Sequence, residues 1–327
     1  PPTKIYLNSS SLTDKEVLYF FFNPYSKIEF SYPIYNLIEK KIKKIEIKTN
    51  NYGFRGKNFT EIKSDKTIRI IFLGDSYTFG WGLEDQETYP QKICNDLSKT
   101  MTNNIQFECL NLAIPGNNIF NSYHIFMNTA LKFKPDIVIF GQNINDVECN
   151  MLQYDSIKKR ICMNERIADL FDGAPYNFKF EDDVLGFSYF YRLISFLIFS
   201  QRNTKETIEY YQELYTEKNW DFFNININSL IKLKIACELE DINFLVLLFP
   251  IFYNLKDDYP FKNIHSFLRE IYIKNNVSFI DFYEHFKDID DYKLWVHPQD
   301  KHPNSLATSI ISAKTVEFLL KNNYLKK

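Results

Sequence analysis

Three features of the sequence predict an α/β fold in which a doubly wound, five-stranded parallel sheet carries helices on both faces. Five short apolar runs alternate with longer segments of helical periodicity. Most of these runs close on turn-forming residues such as Gly, Asn or Asp, which mark the carboxyl end of a buried strand. The length of 327 residues suits one large domain with additions. Helical crossovers between parallel strands leave the strand ends along one rim of the sheet.

The predicted elements follow one another regularly as far as the end of the third strand. The first strand runs directly into Asp75 and Ser76, and a capping pattern at Thr88 opens the first helix. After residue 146 the alternation stops, and it resumes near residue 227. The predicted strands cover residues 68–74, 105–112, 136–140, 244–249 and 277–281, and the predicted helices cover residues 88–101, 119–133, 227–240, 261–275 and 304–320.

Two segments stand outside this alternation and are predicted to be additions to the main domain, which spans residues 51–327. Residues 1–50 form a predicted N-terminal extension that packs on the main domain, and the basic run at residues 40–44 is predicted to be a solvated helix end. Residues 147–226 form a predicted helical insertion that leaves the sheet after the third strand and caps its rim. The aromatic helix of this insertion contains Phe187, Tyr189, Phe190 and Tyr191.

Composition and charge exclude several classes of function. The net charge of −2 gives no basic surface for nucleic acid. The five cysteines show no CxxC or Cys/His metal spacing and cannot all pair within one chain, so we expect buried free thiols. No stretch of the sequence reaches the length of a membrane span. Residues 186–201 come nearest to that length, but Arg192 interrupts their apolar sequence. The chain opens with Pro1-Pro2 rather than Met, which leads us to expect that a signal peptide or anchor is missing from it.

Ser76 is a candidate nucleophile because of its place at the end of the first predicted strand. In open α/β sheets, ligands bind at the carboxyl ends of the strands. A serine at that edge, close to Gly74 in the sequence, can be approached closely by other groups. Because Gly, Asp and Ser are also common in ordinary turns, a purely structural role is the alternative at this point.

A base for this serine is expected in residues 295–304 (WVHPQDKHPN). His302 precedes a proline, which disfavours helical backbone and favours an extended conformation. In an extended segment residues i and i+2 point the same way, so Asp300 can accept a hydrogen bond from the ring of His302. Serine, histidine and acid are the parts of a serine hydrolase, and we prefer Asp300 to Asp146 or Asp281 as the acid. A structural histidine at the start of the last helix is the alternative.

The sequence resembles the SGNH (GDSL-type) hydrolase family, whose four sequence blocks occur here in order. Gly74-Asp75-Ser76 resembles the first block, and Gly116 in Ile-Pro-Gly-Asn resembles the second. Asn145-Asp146 resembles the third block, and Asp300-Lys-His302-Pro303-Asn304 resembles the last. The resemblance covers about residues 50–320 apart from the insertion.

This resemblance implies a flavodoxin-like SGNH fold and a role for each matched residue. It makes Ser76 the nucleophile, His302 the base and Asp300 the orienting acid. It also places the backbone amides of Ser76 and Gly116 and the side-chain amide of Asn145 in an oxyanion hole. The phrases NNYGFRG and LGDSYTFGWG further resemble a bacterial subgroup whose members are often membrane-tethered or exported.

Three departures from the family pattern bear on these roles. Tyr77 replaces the usual leucine, and the acid precedes His302 by two residues instead of three. The usual glycine two residues before Asn145 is Asn143, so either asparagine can complete the oxyanion hole. Residues expected to contact the substrate are Trp81, Asn117 and Asn143.

The function that these observations imply is ester hydrolysis through an acyl-serine intermediate, with no metal or cofactor. We expect removal of a small acyl group, acetyl above all, from a carbohydrate or another polar substrate. One alternative is an O-acyltransferase that acetylates a cell-surface glycan with an acyl group supplied by a membrane partner. The other is a non-catalytic glycan-binding module, against which the complete Ser, Asn, Asp and His set argues. The expected location is outside the cytoplasm, in the periplasm or anchored to a membrane.

Overall fold

A five-stranded parallel sheet forms the centre of the protein, as the sequence predicts. The computed structural model describes residues 6–7, 20–35, 40–101, 105–148, 154–155, 160–161, 205–256, 258–298 and 300–325, so the aromatic helix predicted around Phe187 lies outside the described residues. The strands are β1 (Tyr6–Leu7), β2 (Phe20–Phe21), β3 (Lys27–Tyr35), β4 (Lys40–Lys48), β5 (Thr67–Gly74), β6 (Gln106–Asn111), β7 (Ile137–Gln142), β8 (Tyr154–Asp155), β9 (Arg160–Ile161), β10 (Asn243–Leu248), β11 (Phe279–Asp281), β12 (Trp295–His297) and β13 (Asp300–Pro303).

The central sheet has the strand order β11-β10-β7-β5-β6, and every neighbouring pair is parallel. All eight residues of β5 are buried, which explains its uninterrupted apolar sequence. Because β7 and β6 lie on either side of β5, the segments that follow these three strands meet at one edge of the sheet. That edge receives Ser76, Gly116 and Asn145.

Helices cover the sheet close to the predicted bounds, except that one begins seven residues before its predicted start. Helix α4 begins at Trp220 instead of residue 227, because buried Phe223 continues the apolar stripe of Ile227 and Leu230. The helices are α1 (Ser76–Phe79), α2 (Tyr89–Thr100), α3 (Ile119–Asn128), α4 (Trp220–Leu239), α5 (Lys262–Lys274), α6 (Tyr283–Phe286) and α7 (Ser305–Lys321), and residues 205–213 are also helical. Short 3₁₀ turns cover Asp85–Glu87, Ala130–Phe133, Ile144–Val147, Glu217–Asn219 and Asp291–Lys293.

Two facing glycines let α1 sit directly on the end of the sheet. Gly74 of β5 lies opposite Gly141 of β7, and Thr78 of α1 fills the space above them. A Cβ atom on either glycine would come within 2.3 Å of the Thr78 hydroxyl oxygen. The hydroxyl group of Tyr89 then donates a hydrogen bond to that oxygen at 2.8 Å. The close packing of α1 therefore depends on the missing side chains at these two positions.

The amino end of β5 is held by a buried arginine. The side chain of Arg69 is fully buried and donates to the backbone carbonyls of Ile62 and Phe133. Its guanidinium group also pairs with Glu108 of β6 at 2.6 Å. A buried charge is tolerated when it is both paired and hydrogen-bonded in this way. Arg69 thus ties β5 to its surroundings at the end of the strand opposite Ser76.

The N-terminal extension contains a hairpin instead of the predicted helix end. Strands β3 and β4 pair antiparallel, and the basic run at residues 40–44 lies within β4, so the helix prediction is wrong there. The following residues, Lys-Ile-Glu-Ile-Lys, alternate with the period of a strand. Ile45 and Ile47 are fully buried in a small cluster that includes Phe79 of α1. The hairpin therefore packs next to the segment that follows the candidate nucleophile.

The expectation of free thiols is wrong for two of the five cysteines. Cys94 of α2 and Cys109 of β6 form a disulfide, which fastens a helix to the edge strand of the sheet. Their spacing of 15 residues carries no recognisable motif, so only the packing of α2 on β6 brings them together. Cys237 is free and buried. None of the helices in the described ranges is long and apolar enough to cross a membrane.

We expect the double variant Cys94→Ser/Cys109→Ser to lose about 3 kcal/mol of unfolding free energy, because a cross-link closing a loop of this size restricts the unfolded chain by roughly that amount. Urea titration of the wild-type protein, with and without reductant, and of the variant measures the difference. Reductant should lower the stability of the wild type to that of the variant and leave the variant unchanged. Equal stability of all these samples would show that the bond does not form in solution.

Candidate active site

Ser76 is the first residue of α1 and lies directly beyond the carboxyl end of β5. Asp75 caps this helix, since its side chain accepts a hydrogen bond from the backbone N–H of Tyr77 at 2.9 Å. The N–H groups of a first helical turn have no partner within the helix. Ser76 therefore presents its hydroxyl group and its backbone amide at the edge of the sheet where ligands bind in such folds.

His302 links Ser76 to Asp300. Its Nε2 atom lies 2.8 Å from the Ser76 Oγ atom, and its Nδ1 atom lies 2.5 Å from Oδ1 of Asp300. The same carboxylate oxygen accepts the backbone N–H of His302 at 3.1 Å. Both residues belong to the extended strand β13, as the proline at position 303 predicts. The predicted contact between the serine and the histidine ring is confirmed.

The two other carboxylates considered as orienting acids are bonded elsewhere. Asp281 lies 2.8 Å from the Nδ1 atom of His265, which forms a second, buried Asp–His pair. Asp146 accepts a backbone N–H within its own turn at 2.9 Å. The described geometry therefore gives Asp300 the orienting position beside His302.

In the turn after β7, Asn143 and Asn145 have different surroundings. The side chain of Asn143 is 1% exposed, and its Nδ2 atom donates to Asp75 at 2.9 Å. Asn143 is thus committed to the helix cap and does not face the open rim, where we had expected it to contact substrate. Asn145 is half-buried, so part of this residue stays open to solvent at the rim. This geometry favours Asn145 as the donor to an oxyanion.

Two buried carboxyl groups, those of Asp75 and Asp146, lie behind Ser76. Burial raises the pKa of Asp75, against the lowering effect of the hydrogen bonds from Asn143 and Tyr77. Burial also raises the pKa of Asp146 well above its usual value, and the negative charge of Asp75 adds to this effect. Two neighbouring carboxyl groups in one apolar site do not both ionise readily. Asp75, which accepts two hydrogen bonds, is the better placed of the two to carry the charge.

The turn after β6 lies on the other side of β5 and contains Gly116 and Asn117. Gly116 has a φ of +78° and is exposed, and open space lies where a Cβ atom would be. A substrate group can therefore come close to its backbone. Asn117 is 4% exposed, and its Nδ2 atom has no partner among the described residues. The rim thus exposes Gly116, whereas the expected substrate contact from Asn117 would require a ligand that reaches inward.

Two aromatic rings lie beside His302. The ring centroids of Tyr77 and Trp81 are 5.5 Å and 6.4 Å from that of His302. Tyr77 is also packed against Phe249 and Phe252, so its replacement of the usual leucine extends the aromatic core to the histidine. Trp81 is half-buried and therefore keeps part of its ring exposed near the base. The substrate contact expected from Trp81 stays a prediction.

The described end of the insertion contacts the same rim of the sheet. The Tyr215 hydroxyl group donates to the backbone carbonyl of Ile144 at 2.6 Å, and the Tyr210 hydroxyl group donates to Glu148 at 2.5 Å. Both acceptors belong to, or directly follow, the turn that holds Asn145. Residues 205–215 therefore lie against this turn, while the cap predicted for the whole insertion stays a prediction.

Sequence reasoning did not identify two contacts that support this site. Arg55 contacts the loop that follows α1, and the phrase NNYGFRG was the signal that could have pointed to it. The bond from Asn143 to Asp75 joins the ends of β7 and β5. It could not be read from the sequence because its partners are 68 residues apart.

Glu148 makes a testable contribution to the dependence of stability on pH. Burial raises its pKa to about 7, the charge of Asp75 acts in the same direction, and the Tyr210 hydroxyl opposes both. An unfolded glutamate has a pKa near 4.3. The folded protein therefore holds a proton that the unfolded chain releases, and this group's contribution to stability falls as the pH rises from about 4.3 to about 7.

We expect Glu148→Gln, which removes this titration while keeping an acceptor for Tyr210, to raise Tm relative to the wild type near pH 8 more than near pH 5. Thermal unfolding of both proteins across this range provides the measurement. The variant Glu317→Gln, at an exposed position of α7, controls for a general effect of removing one negative charge. A Tm difference between Glu148→Gln and wild type that does not change with pH would contradict the assignment.

Solved structures with a similar backbone include esterases. An acetyl xylan esterase, AlAXEase, shares 16% identity at a TM-score of 0.45, with 77% of this chain and 100% of that chain covered. A lipase/acylhydrolase from Enterococcus faecalis shares 13% identity at a TM-score of 0.45, with 78% and 96% covered. A catalytic mutant of Axe2, an acetylxylan esterase from Geobacillus stearothermophilus, shares 16% identity at a TM-score of 0.45, with 79% and 95% covered.

The comparison with protein families is more specific. None of the curated proteins matches the chain. The model of the GDSL-like lipase/acylhydrolase family matches residues 72–307, which include Ser76, Asp300 and His302 together with the turns after β6 and β7. The match covers most of the chain. Members of this family are hydrolases of ester bonds. This protein belongs to the GDSL-like lipase/acylhydrolase family.

Proposed function

We propose that the protein removes a small acyl group, acetyl above all, from a carbohydrate or another polar ester through an acyl-serine intermediate. The observation that carries this proposal is the hydrogen-bonded chain from Ser76 through His302 to Asp300. Serine hydrolases of unrelated folds perform acyl transfer with the same three groups. Membership of an acylhydrolase family supports the ester bond as the target.

In the first half of the proposed reaction, the Ser76 Oγ atom attacks the ester carbonyl carbon while its proton passes to Nε2 of His302. The tetrahedral intermediate then collapses, the ester C–O bond breaks, and His302 returns the proton to the departing alcohol oxygen. In the second half, His302 takes a proton from water, the hydroxide attacks the acyl carbon, and Ser76 leaves with that proton. Asp300 keeps the Nδ1 atom protonated and so leaves Nε2 free to accept.

The negative oxygen of the intermediate would be held by donors from three neighbouring strand ends. These are the backbone amides of Ser76 and Gly116 and the side-chain amide of Asn145. The proposal for Asn145 is supported by its half-buried position in the turn after β7, and that for Gly116 by the open space at its Cα atom. Losing one such donor typically costs about 3–4 kcal/mol of transition-state stabilisation.

The surroundings of His302 support a small acyl group and a polar alcohol. Tyr77 and the core behind it fill the space on one side of the histidine, which leaves little room for a long chain there. On another side the half-buried Trp81 offers an aromatic face, which can pack against the apolar face of a sugar ring. His302 and Asp300 are 27% and 17% exposed at the side chain, so an acceptor in solution can reach the base.

We further propose that the protein works outside the cytoplasm, in the periplasm or attached to a membrane. The disulfide between Cys94 and Cys109 supports this location, because such bonds persist in oxidising compartments and are rare where thiols are kept reduced. Fractionation of cells that produce the full-length gene product, followed by thiol labelling, tests the location. A protein recovered in the cytoplasm with both thiols reduced would overturn it.

The proposed activity is tested with a series of 4-nitrophenyl esters and with an acetylated oligosaccharide, each with and without a free glycan acceptor. We expect the highest kcat/KM for the acetyl ester, and acetate as the product whether or not the glycan is present. A preference for the octanoate ester would contradict the small acyl group. Acetylated glycan in place of free acetate would assign the protein as an O-acyltransferase that uses the same three residues, and would overturn the hydrolase.

Asp300→Asn should lower kcat by on the order of 10³ to 10⁴ fold, as loss of the orienting carboxylate does in serine proteases, because the imidazole ring would lose control of its tautomer. The matched control is Asp281→Asn, which alters the second Asp–His pair at His265 and not the pair bonded to Ser76. That control should lower Tm but retain kcat. Full activity of Asp300→Asn, or an equal loss in both variants, would remove Asp300 from the proposed mechanism.

A further inference from the structure

Arg55 lies in the segment that precedes the family-matched residues 72–307 and binds the loop that follows α1. Its guanidinium group donates to the backbone carbonyls of Phe79, Gly80 and Leu83 at 3.1 Å, 2.7 Å and 2.5 Å. Its Nε atom also pairs with Asp85 at 2.7 Å. The Arg55 side chain is only 2% exposed. A single buried cation thus binds three backbone carbonyl groups of one short loop.

The helix that carries Ser76 needs support of this kind. Helix α1 has four residues, a single turn, and an isolated turn is unstable because helix nucleation is unfavourable. The carbonyl groups at the end of a helix also lack intrahelical partners. Arg55 supplies donors to the carbonyls of Phe79 and Gly80 at this end of α1. The position of the turn is therefore set by contacts from outside it.

Three hydrogen bonds link Arg55 and its loop to the backbone of Ser76. The guanidinium group binds the carbonyl of Gly80, and the N–H groups of Gly80 and Trp81 both donate to the carbonyl of Ser76 at 3.0 Å. A displacement of the loop would therefore move the backbone of Ser76. It would also move the ring of Trp81, whose centroid lies 6.4 Å from that of His302.

The segment that contains Arg55 is itself fixed to the N-terminal hairpin of β3 and β4. Arg55 forms an isolated antiparallel bridge with Thr49, which directly follows β4. Ile45 and Ile47 of β4 are buried in the cluster that contains Phe79, and Trp81 packs against this cluster. The hairpin and Arg55 therefore hold the same loop, one through apolar contacts and the other through hydrogen bonds to its backbone.

We propose that Arg55 is a positioning residue for ester hydrolysis, which holds the Phe79–Leu83 loop so that Ser76 stays in line with His302 and Trp81 stays beside it. The proposal rests on Ser76 as the nucleophile. Lysine can keep the charge but cannot donate to several carbonyls with the planar fork of arginine. A small displacement of a reacting group is enough to lower a rate by on the order of 10² fold.

The experiment compares Arg55→Lys with Arg69→Lys. Arg69 is the matched control because it is equally buried, pairs with one carboxylate and donates to backbone carbonyls, but it lies at the opposite end of β5 from Ser76. For each variant, Tm is measured together with kcat and KM for 4-nitrophenyl acetate. The rate of covalent labelling of Ser76 by a fluorophosphonate probe is measured as well, because it reports the nucleophile without any assumption about the natural substrate.

Both variants are expected to lose Tm. In Arg55→Lys, kcat and the labelling rate should fall by on the order of 10² fold, whereas Arg69→Lys should retain both. Unchanged kcat and labelling in Arg55→Lys, or an equal fall in both variants, would overturn the proposal. If the wild type is not labelled at Ser76, the nucleophile assignment itself fails, and this result is distinct from failure of Arg55.

A milder variant decides the matter if Arg55→Lys does not fold. Asp85→Asn leaves the guanidinium group in place and removes the charge of its partner, whose side chain is 43% exposed. We expect a smaller fall of kcat and of the labelling rate in this variant, in the same direction. In that case unchanged kcat and labelling in Asp85→Asn would count against the positioning role.

Discussion

The proposed active site depends on one constraint: Ser76, the proposed nucleophile, is carried by a helix too short to hold its own position. Helix α1 is a single turn at the end of a buried strand, and several of the groups that anchor it come from other parts of the chain. Asn143 fixes the capping residue Asp75 from the end of β7. His302 lies within hydrogen-bond distance of the serine hydroxyl group from β13, and Arg55 holds the far end of the turn from the N-terminal side. The geometry of catalysis is thus a property of the tertiary fold.

Much of this arrangement could be predicted from the sequence, because the signals involved are local. Five apolar runs predicted all five strands of the sheet. The helices between these runs predicted that the strands are parallel. The place of Ser76 at a strand end and the extended conformation around His302 each depended on a few neighbouring residues. The contact between Asp300 and His302 could also be predicted from local sequence, because residues two apart in an extended segment point to the same side.

The contacts that could not be predicted join residues distant in sequence. A buried arginine that binds three carbonyl groups leaves no periodic pattern, and neither does the bond between Asn143 and Asp75. The disulfide between Cys94 and Cys109 depends on the packing of α2 against β6. The hairpin was mistaken for a helix end because a run of lysines masked the alternation of Ile45 and Ile47. In each case tertiary packing decides an outcome that local pattern leaves open.

The most direct test of the account is to trap the acyl-enzyme. The wild-type protein is mixed with excess 4-nitrophenyl acetate, quenched in acid within one turnover and digested for peptide mass spectrometry. The account predicts an acetyl group on Ser76 that is absent from the protein quenched before substrate is added. Turnover of the ester with Ser76 unmodified at every quench time, or with the acetyl group on another side chain, would contradict it.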